Sequence, residues 1–326
     1  MLLSIIIPIY NTSLHELLRC FDSVHTLQGV EYEALLIDDG SRNKVGDYCR
    51  RYVEKNPTFR YFYRDNAGVS AARNFGIGQA RGKYLMFLDS DDMMYGQPVT
   101  ADLLQQGHQL ILLDAMIQKG REESWHYAFP KGTQVDREQL LHRLVTSKAL
   151  NSPWAKLFDR SLLQQYSIRF PEDFVSGEDW MFVAAFAQKA ERVCYVPLPG
   201  YHYFLDNRSG ADRVIRYPDR IIDNQLTRFG VKKQLLEQET WRCHETSQML
   251  ASASVELVEN LFNTGADLRD RDKLTTPRRD RLKTAAEEAG GYLISPPLKT
   301  RLKLLALTKW PWLMGPLSIL RSAYLN

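Results

Sequence analysis

At 326 residues the chain is long enough for one large or two ordinary domains. Charged residues at 25% and hydrophobic residues at 44% are those of a globular protein, and a net charge of +3 is too small to point to nucleic acid as a partner. Cys20, Cys49, Cys194 and Cys243 lack the close spacing of a zinc site or a disulfide framework, so they read as reduced thiols of a cytoplasmic protein.

Residues 2–9 form an aliphatic run ending near Pro8 and Asn11, which predicts a strand buried on both faces. The run has neither a basic start nor a small-residue cleavage site, so no signal peptide is expected. No apolar run reaches about 18 residues, so no spanning helix is expected either. Ser13 with Glu16 fits a capping box, and Leu14, Leu17, Leu18, Phe21 and Val24 recur at helical spacing. A second strand, residues 32–37, runs into Asp38-Asp39-Gly40-Ser41. A helix around residues 47–54 and a third strand, residues 59–63, follow. Residues 66–74 are a small-residue turn opening a helix to about Ala80, stopped by Gly82. Gly76, Gly78 and Gly82 fall within or after that helix, not at a strand-to-helix turn, so they make no dinucleotide fingerprint. Strands alternating with helices predict an α/β fold with a mainly parallel sheet.

Residues 84–88 are a fourth buried strand, and Asp89, Asp91 and Asp92 crowd into the turn after it. Like charges this close repel, and a cation between them keeps them ionised; oxygen-only ligands favour Mg2+ or Mn2+. Parallel strands deliver their carboxyl ends to one edge, where open α/β sheets bind ligands. Tyr10-Asn11, Asp38-Asp39 and the acidic turn are therefore expected side by side. An aromatic ring, a carboxylate for a base N–H and a metal cluster suit a nucleotide diphosphate. Gly68, Ser70 and Arg73 add backbone N–H donors and a cation. Taken singly, an Asp-x-Asp is more often a solvated turn and Arg73 a surface ion pair. Their co-occurrence carries the reading.

The middle of the chain predicts a strand at 110–117, a helix at 136–145 and a short helix at 161–166. Ser176-Gly177-Glu178-Asp179-Trp180 opens an apolar helix to about Lys189. Two acids in a first turn suit the helix dipole, and equally a general base at a cleft mouth. Residues 193–197 and 201–204 read as strands, followed by Asn207-Arg208-Ser209-Gly210, a polar loop suited to closing over a diphosphate. His202 has two readings: a metal ligand or phosphate donor, or a satisfied structural residue in an aromatic strand. Helices are expected at 219–239, 240–263 and 278–289, with a charged linker at 268–277. Residues 299–326 hold five basic residues and no acidic one, interleaved with Leu and Trp. Such a tail suits an anionic cytoplasmic leaflet, or packing on the protein itself.

Ile7-Pro8-Ile9-Tyr10-Asn11, Ile37 to Ser41, Asn66 to Asn74, Phe87 to Asp92, Trp154 to Phe158 and Gly177-Glu178-Asp179, in that order and spacing, resemble family 2 of the inverting glycosyltransferases over roughly residues 3–209. The resemblance implies a GT-A fold: a Rossmann-like mixed, mainly parallel sheet flanked by helices. Residues 1–215 would be the nucleotide-sugar-binding and catalytic domain, and 216–326 a helical region with its basic tail at 299–326. It implies that Tyr10 and Asp39 hold the base with Asp38 beside them, and that Pro8, Asn11, Asn66, Gly68, Ser90, Lys156 and Arg208 complete the donor site. Arg73 would face the base or diphosphate, Asp89 the ribose, and Asp91, with Asp89 and His202, would hold Mn2+ or Mg2+. Asp179 would take the proton from the acceptor hydroxyl, with Glu178, Trp180 and Trp154 positioning the acceptor. One base and no enzyme nucleophile imply inversion by single displacement. The Gln-x-x-Arg-Trp signature of processive members is absent, so one sugar per encounter is expected. The implied donor is a UDP-sugar. The implied acceptor is a glycan or lipid-linked oligosaccharide of a capsule, exopolysaccharide or O-antigen, met at the inner face of the cell membrane. Two rivals differ at named positions. A non-catalytic nucleotide-sugar-binding scaffold would dispense with Asp91 or Asp179. A sugar nucleotidylyltransferase would want a Gly-rich, Arg-bearing loop where Tyr10-Asn11-Thr12-Ser13 stands.

Overall fold

The computed structural model describes residues 1–205, 216–238, 243–270, 273–293 and 296–309. Strand β1 (Leu3–Ile9) is buried at every position, as an unbroken aliphatic run requires, and lies between β2 (Tyr32–Asp39) and β4 (Tyr84–Phe87), parallel to both. Beyond β2, β3 (Phe59–Arg64) continues the parallel set. Helices α1 (Leu14–Val24), α2 (Val45–Lys55) and α3 (Val69–Gln79) connect these strands. The expected capping box starts α1: Ser13 N–H donates to Glu16 Oε2 at 3.0 Å, and Glu16 N–H to Ser13 Oγ at 3.3 Å. Gly76 has a packing role, because a Cβ there would meet Ile6 Cγ2 at 2.5 Å, so α3 can lie close on β1 only with glycine at that position.

The following part of the chain mixes strand directions. It contains β5 (Met93–Met94), α4 (Ala101–Gln105), β6 (Leu110–Lys119), β7 (Glu122–His126), α5 (Arg137–Thr146), β8 (Lys156–Asp159), α6 (Arg160–Gln165), α7 (Glu178–Ala187) and β9 (Val193–Phe204). The sheet order is β3-β2-β1-β4-β8-β6-β9-β5, with β7 paired to β6. The long pairings are parallel except β6 with β7, and β8 joins β4 to β6 by short antiparallel stretches. The two strands expected at 193–197 and 201–204 are one. Pro197 and Pro199 give no N–H to a ladder, and the register against β6 shifts on either side of Asp114, so β9 passes through a bulge instead of breaking. One sheet face packs Ile5, Ile7, Phe21, Tyr84, Met86, Leu157 and Tyr201 together. Elsewhere Phe87 meets Phe158, Phe170 and Phe182 edge-on at 5.8, 5.1 and 5.5 Å, which docks α7 beside the end of β4.

The chain divides into two compact units, one of Met1–Glu172 with Glu178–Asn207, the other of Asp173–Gly177 with Arg208–Asn326. The second is helical where described: Pro218–Gln238, Cys243–Arg269, Thr276–Gly290 and Leu298–Thr308. The Cys243–Arg269 helix runs past the expected end at residue 263 into the expected linker. Phe262, Leu261 and Val258 on it are fully buried, and an apolar face of that kind prolongs a helix against local charge. In the basic tail, Lys303 is 8% exposed, with Nζ 3.5 Å from Glu259 Oε1 and over the Phe262 ring, so this lysine packs on its own unit. Leu298, Lys299 and Arg301 are exposed. Residues 310–326 of the tail lie outside the described residues.

Candidate active site

Parallel strands that start level also end level. Ile9 pairs with Asp38, and Leu88 N–H donates to Ile6 O at 3.0 Å, so Tyr10, Asp38-Asp39 and Asp89 emerge along one edge. Tyr10 is half exposed there. Asp38 accepts from Ser41 N–H at 2.8 Å and from the Tyr61 hydroxyl at 2.7 Å. Asp39 accepts from Gly68 N–H at 2.7 Å, Ala67 N–H at 3.2 Å and Asn66 Nδ2 at 3.0 Å, which ties the end of β2 to the entry of α3. Gly68 takes φ +95°, a conformation that a side chain would strain. Asn11, at φ +51°, donates its N–H to Ser41 Oγ at 3.0 Å and accepts from Arg42 N–H at 2.8 Å. Ser90 Oγ and Thr12 Oγ1 lie 2.6 Å apart. Local bonds between consecutive strand ends thus make one polar floor.

Arg73 stands at its centre. One Nη donates to Asp89 at 2.8 Å and the other to Asp179 at 2.8 Å, while the guanidinium lies 5.2 Å from the Phe170 ring centre and is 4% exposed. Burial opposes its charge, but Asp179 and Asp89 more than offset that and hold it protonated. A cation on α3 therefore joins the acid at the end of β4 to the acid in the first turn of α7. Asn74, one residue further along α3, clamps the chain that precedes α7: its Nδ2 donates to Phe170 O and Glu172 Oε1 at 2.9 Å, and its Oδ1 accepts from Phe170 N–H at 2.8 Å. Glu178 is buried at the start of α7.

The three acids after β4 part company. Asp92 turns inward, 1% exposed, and accepts from the Tyr201 hydroxyl at 2.7 Å and Phe204 N–H at 2.8 Å. Burial, reinforced by Asp89, pushes its carboxyl up to about 8. Asp92 is therefore withdrawn from the expected acidic metal cluster, which leaves Asp89 and Asp91 as its candidate carboxylates. Asp91 borders an open cleft with Glu16, Arg19, Gln118 and Phe204, and its carbonyl accepts from Arg19, whose guanidinium lies 3.5 Å over the Phe204 ring. Among the described residues no three His, Cys, Asp or Glu side chains converge as a protein-only metal site. Two carboxylates fit a hard cation that completes its shell with phosphate oxygens.

Several expected contacts do not form. Trp180 is 1% exposed and donates its indole N–H to Leu144 O at 3.1 Å, a core position with no face for an acceptor. Lys156 is 3% exposed, its Nζ donating to Ser152 O at 2.7 Å and Trp154 O at 3.4 Å, so it braces that turn and does not reach a donor. His202 has both ring nitrogens engaged, Nδ1 with the Tyr95 hydroxyl at 2.8 Å and Nε2 with Gln118 Oε1 at 3.0 Å, and it stacks on Phe204 at 4.4 Å. Burial holds its pKa below the ordinary range. The metal-ligand reading of His202 gives way to the structural one. Pro8 is buried within β1 opposite Ile37, leaving its ring no free face. Arg208 lies outside the described residues. Trp154 stacks on Tyr201 and Tyr203 at 5.1 and 5.9 Å. Tyr201, unassigned in the sequence reading, supports the acidic turn from below: its hydroxyl accepts from Asp89 N–H at 3.2 Å while bonding Asp92. Only its place in an aromatic strand hinted at this.

A family model described as glycosyl transferase family 2 matches residues 4–167, half of the chain. The putative glycosyltransferase EpsH of Bacillus subtilis is 25% identical over 243 residues, 72% of this chain and 69% of EpsH. The chain spans 58% of the length of one other relative and 30% of two more. Among solved structures, S. aureus TarS 1–349 in complex with UDP-GlcNAc superposes with a TM-score of 0.65 at 18% identity, covering 94% of this chain and 91% of that one. The mannosyltransferase PcManGT of Pyrobaculum calidifontis, in complex with GDP-Man and Mn2+, superposes with a TM-score of 0.53 at 14% identity, covering 99% of this chain and 86% of that one. These likenesses establish a shared fold. The chain belongs to glycosyl transferase family 2, as the family model, the order of its strand-end motifs and the mixed sheet agree.

Proposed function

We propose that this chain transfers one sugar per encounter, with inversion, from a UDP-linked donor to a glycan or lipid-linked acceptor in cell-surface polysaccharide synthesis. The observation that carries the reading is the Arg73 bridge, because it brings Asp179 beside the end of β4, where the acidic turn and the strand-end floor lie. In this reading Tyr10 and Asp39 hold the base, Asp89 meets the ribose, and Asp91 with Asp89 holds Mn2+ or Mg2+. Bound there, the cation would neutralise charge on the diphosphate. The Asp179 carboxylate takes the acceptor's hydroxyl proton as the new bond forms on the face opposite the diphosphate. Glu178 positions the helix end. Arg73 fixes Asp179 in direction. The donor assignment is supported by UDP-GlcNAc in TarS, and the cation by Mn2+ in PcManGT together with the all-oxygen donor pair.

Peripheral contact with the inner face of the membrane is part of the same reading. It is supported by the exposed Leu298, Lys299 and Arg301 at the start of the last described helix. Among the described residues no helix is long and apolar enough to cross a membrane.

The test combines binding and turnover. UDP with Mn2+ should raise the melting temperature, by the equivalent of about 2.7 kcal/mol at 100 times Kd, and chelation should remove most of that gain. Asp179→Asn should keep the shift and lower transfer at least about 100-fold. Asp91→Asn should lose the Mn2+-dependent part. Transfer that survives Asp179→Asn removes Asp179 from the mechanism.

A further inference from the structure

At the end of β7 two aromatic side chains stand uncovered. Trp125 is 49% exposed and Tyr127 37%, their rings are 5.9 Å apart and within 9° of parallel, and Lys131 Nζ lies 5.8 Å from the Tyr127 ring. Strand alternation puts cross-strand partners on one face, so Trp125 shares a face with Met116, and Glu123 with Gln118. On the other side of β6, Met116 and Gln118 are in register with His202 and Phe204. Gln118 and Phe204 also line the cleft of about 210 Å³ that Asp91 borders. The aromatic pair and the Asp91 cleft therefore share one sheet face. Trp125 stands one strand over and two residues along from Gln118, about 8 Å by strand spacing and rise.

We infer that Trp125 and Tyr127 are a stacking platform for the acceptor, a pyranose chain, which they hold beyond the sugar that reacts; this rests on the glycosyl-transfer reading above. The apolar face of a pyranose presents C–H groups of partial positive charge to the negative face of an aromatic ring. Parallel rings on an open strand offer that surface without a closed pocket. Gln118, Glu123 and Lys131 supply hydrogen-bonding groups at the rim for sugar hydroxyls. Size favours a glycan over a protein: two half-exposed rings offer on the order of 200 Å², against about 800 Å² per partner in a stable protein interface. Exposed Lys119, Arg121 and Lys131 stand among exposed Glu122 and Glu123, a mixed-sign rim and not the one-sided basic cluster that an anionic lipid surface selects.

Saturation-transfer NMR on the full chain, with cellotetraose, maltotetraose, mannotetraose and N-acetylchitotetraose as probes, reads the platform directly. The expected result is binding of one or more probes by the native chain, weakened about 10-fold or more in the Trp125→Ala, Tyr127→Ala double variant. The Trp125→Phe, Tyr127→Phe variant should retain most of the binding, and stabilisation by UDP with Mn2+ should be the same in all three. Binding of no probe by the native chain, or equal binding by the double-alanine variant, overturns the inference. A native dimer that dissociates in the double-alanine variant overturns it in favour of a second copy. Loss of phosphatidylglycerol-vesicle binding in that variant overturns it in favour of lipid. The two readings fail separately. Should UDP leave the native melting temperature unmoved while tetrasaccharide binding depends on the pair, the donor assignment falls and the platform stands.

Discussion

Arg73 serves two acids with one fork, Asp89 through one nitrogen and Asp179 through the other. A lysine keeps the charge but has a single compact ammonium that cannot span both. Arg73→Lys is therefore expected to lower kcat on the order of 100-fold, the scale of a 1 Å misplacement at a reacting group, and to leave UDP-induced stabilisation nearly unchanged. Steady-state kinetics set beside thermal shifts check this, and an unaltered kcat would take Arg73 out of the positioning of Asp179. Lys156 is the opposite kind of buried cation. Burial pushes its ammonium down to about 7, against a smaller opposing pull from Asp179. The folded value lies below the unfolded one, so between about pH 7 and pH 10 the unfolded chain binds more protons and rising pH favours the fold, by at most about 1.4 kcal/mol per pH unit. In urea melts the native chain should therefore gain on Lys156→Met from about pH 7 to pH 9. A difference that stays flat over that window contradicts it. At this scale the sequence shows which acids gather at the strand ends and hides which cations hold them, since an ion pair between α3 and α7 depends on how those helices dock.

Among the elements, α3 bears most on the site, because it carries Arg73 and Asn74 and its start bonds Asp39. Its approach to β1 depends on Gly76. Gly76→Ala pushes a methyl into Ile6 and is expected to destabilise the protein by about 1–3 kcal/mol, read from denaturant midpoints, with activity falling as α3 shifts. A midpoint within error of native would show that Ile6 relaxes freely. The glycines in this helix are legible as exclusions, since they sit where no phosphate loop fits. Their packing role is not, because it needs the partner strand. Strands β1 to β4 are legible from their apolar runs and turn chemistry. The short β5 and β8 and the exposed β7 are not, because antiparallel neighbours supply their hydrogen bonds and their own sequences carry little periodicity. Trp180 looks functional beside Glu178 and Asp179, yet the helical period turns it inward to Leu144.

At the scale of the whole molecule, two units are built on different physics, a mixed sheet with helices and a set of long helices. The last described helix directs Lys303 into its own unit and leaves Lys299 and Arg301 outside. Each basic residue near an anionic leaflet contributes about 1 kcal/mol. Lys299→Ala with Arg301→Ala should thus lower partitioning onto phosphatidylglycerol vesicles about 30-fold, more strongly at low salt than at high salt. Vesicle sedimentation checks it, and equal partitioning would confine any membrane contact to other surfaces.

From its sequence alone this protein declares an α/β sheet, the edge at which a donor would sit, and the acids gathered there, because buried strands and their turns are written in contiguous residues. What tertiary structure decided is which of those side chains stay at the open edge and which turn inward. Asp92, Trp180, Lys156 and His202 all turn into the protein, and Arg73 is drawn between two acids from distant stretches. Side-chain direction and long-range pairing depend on how helices and strands stack, and no local pattern of residues encodes that.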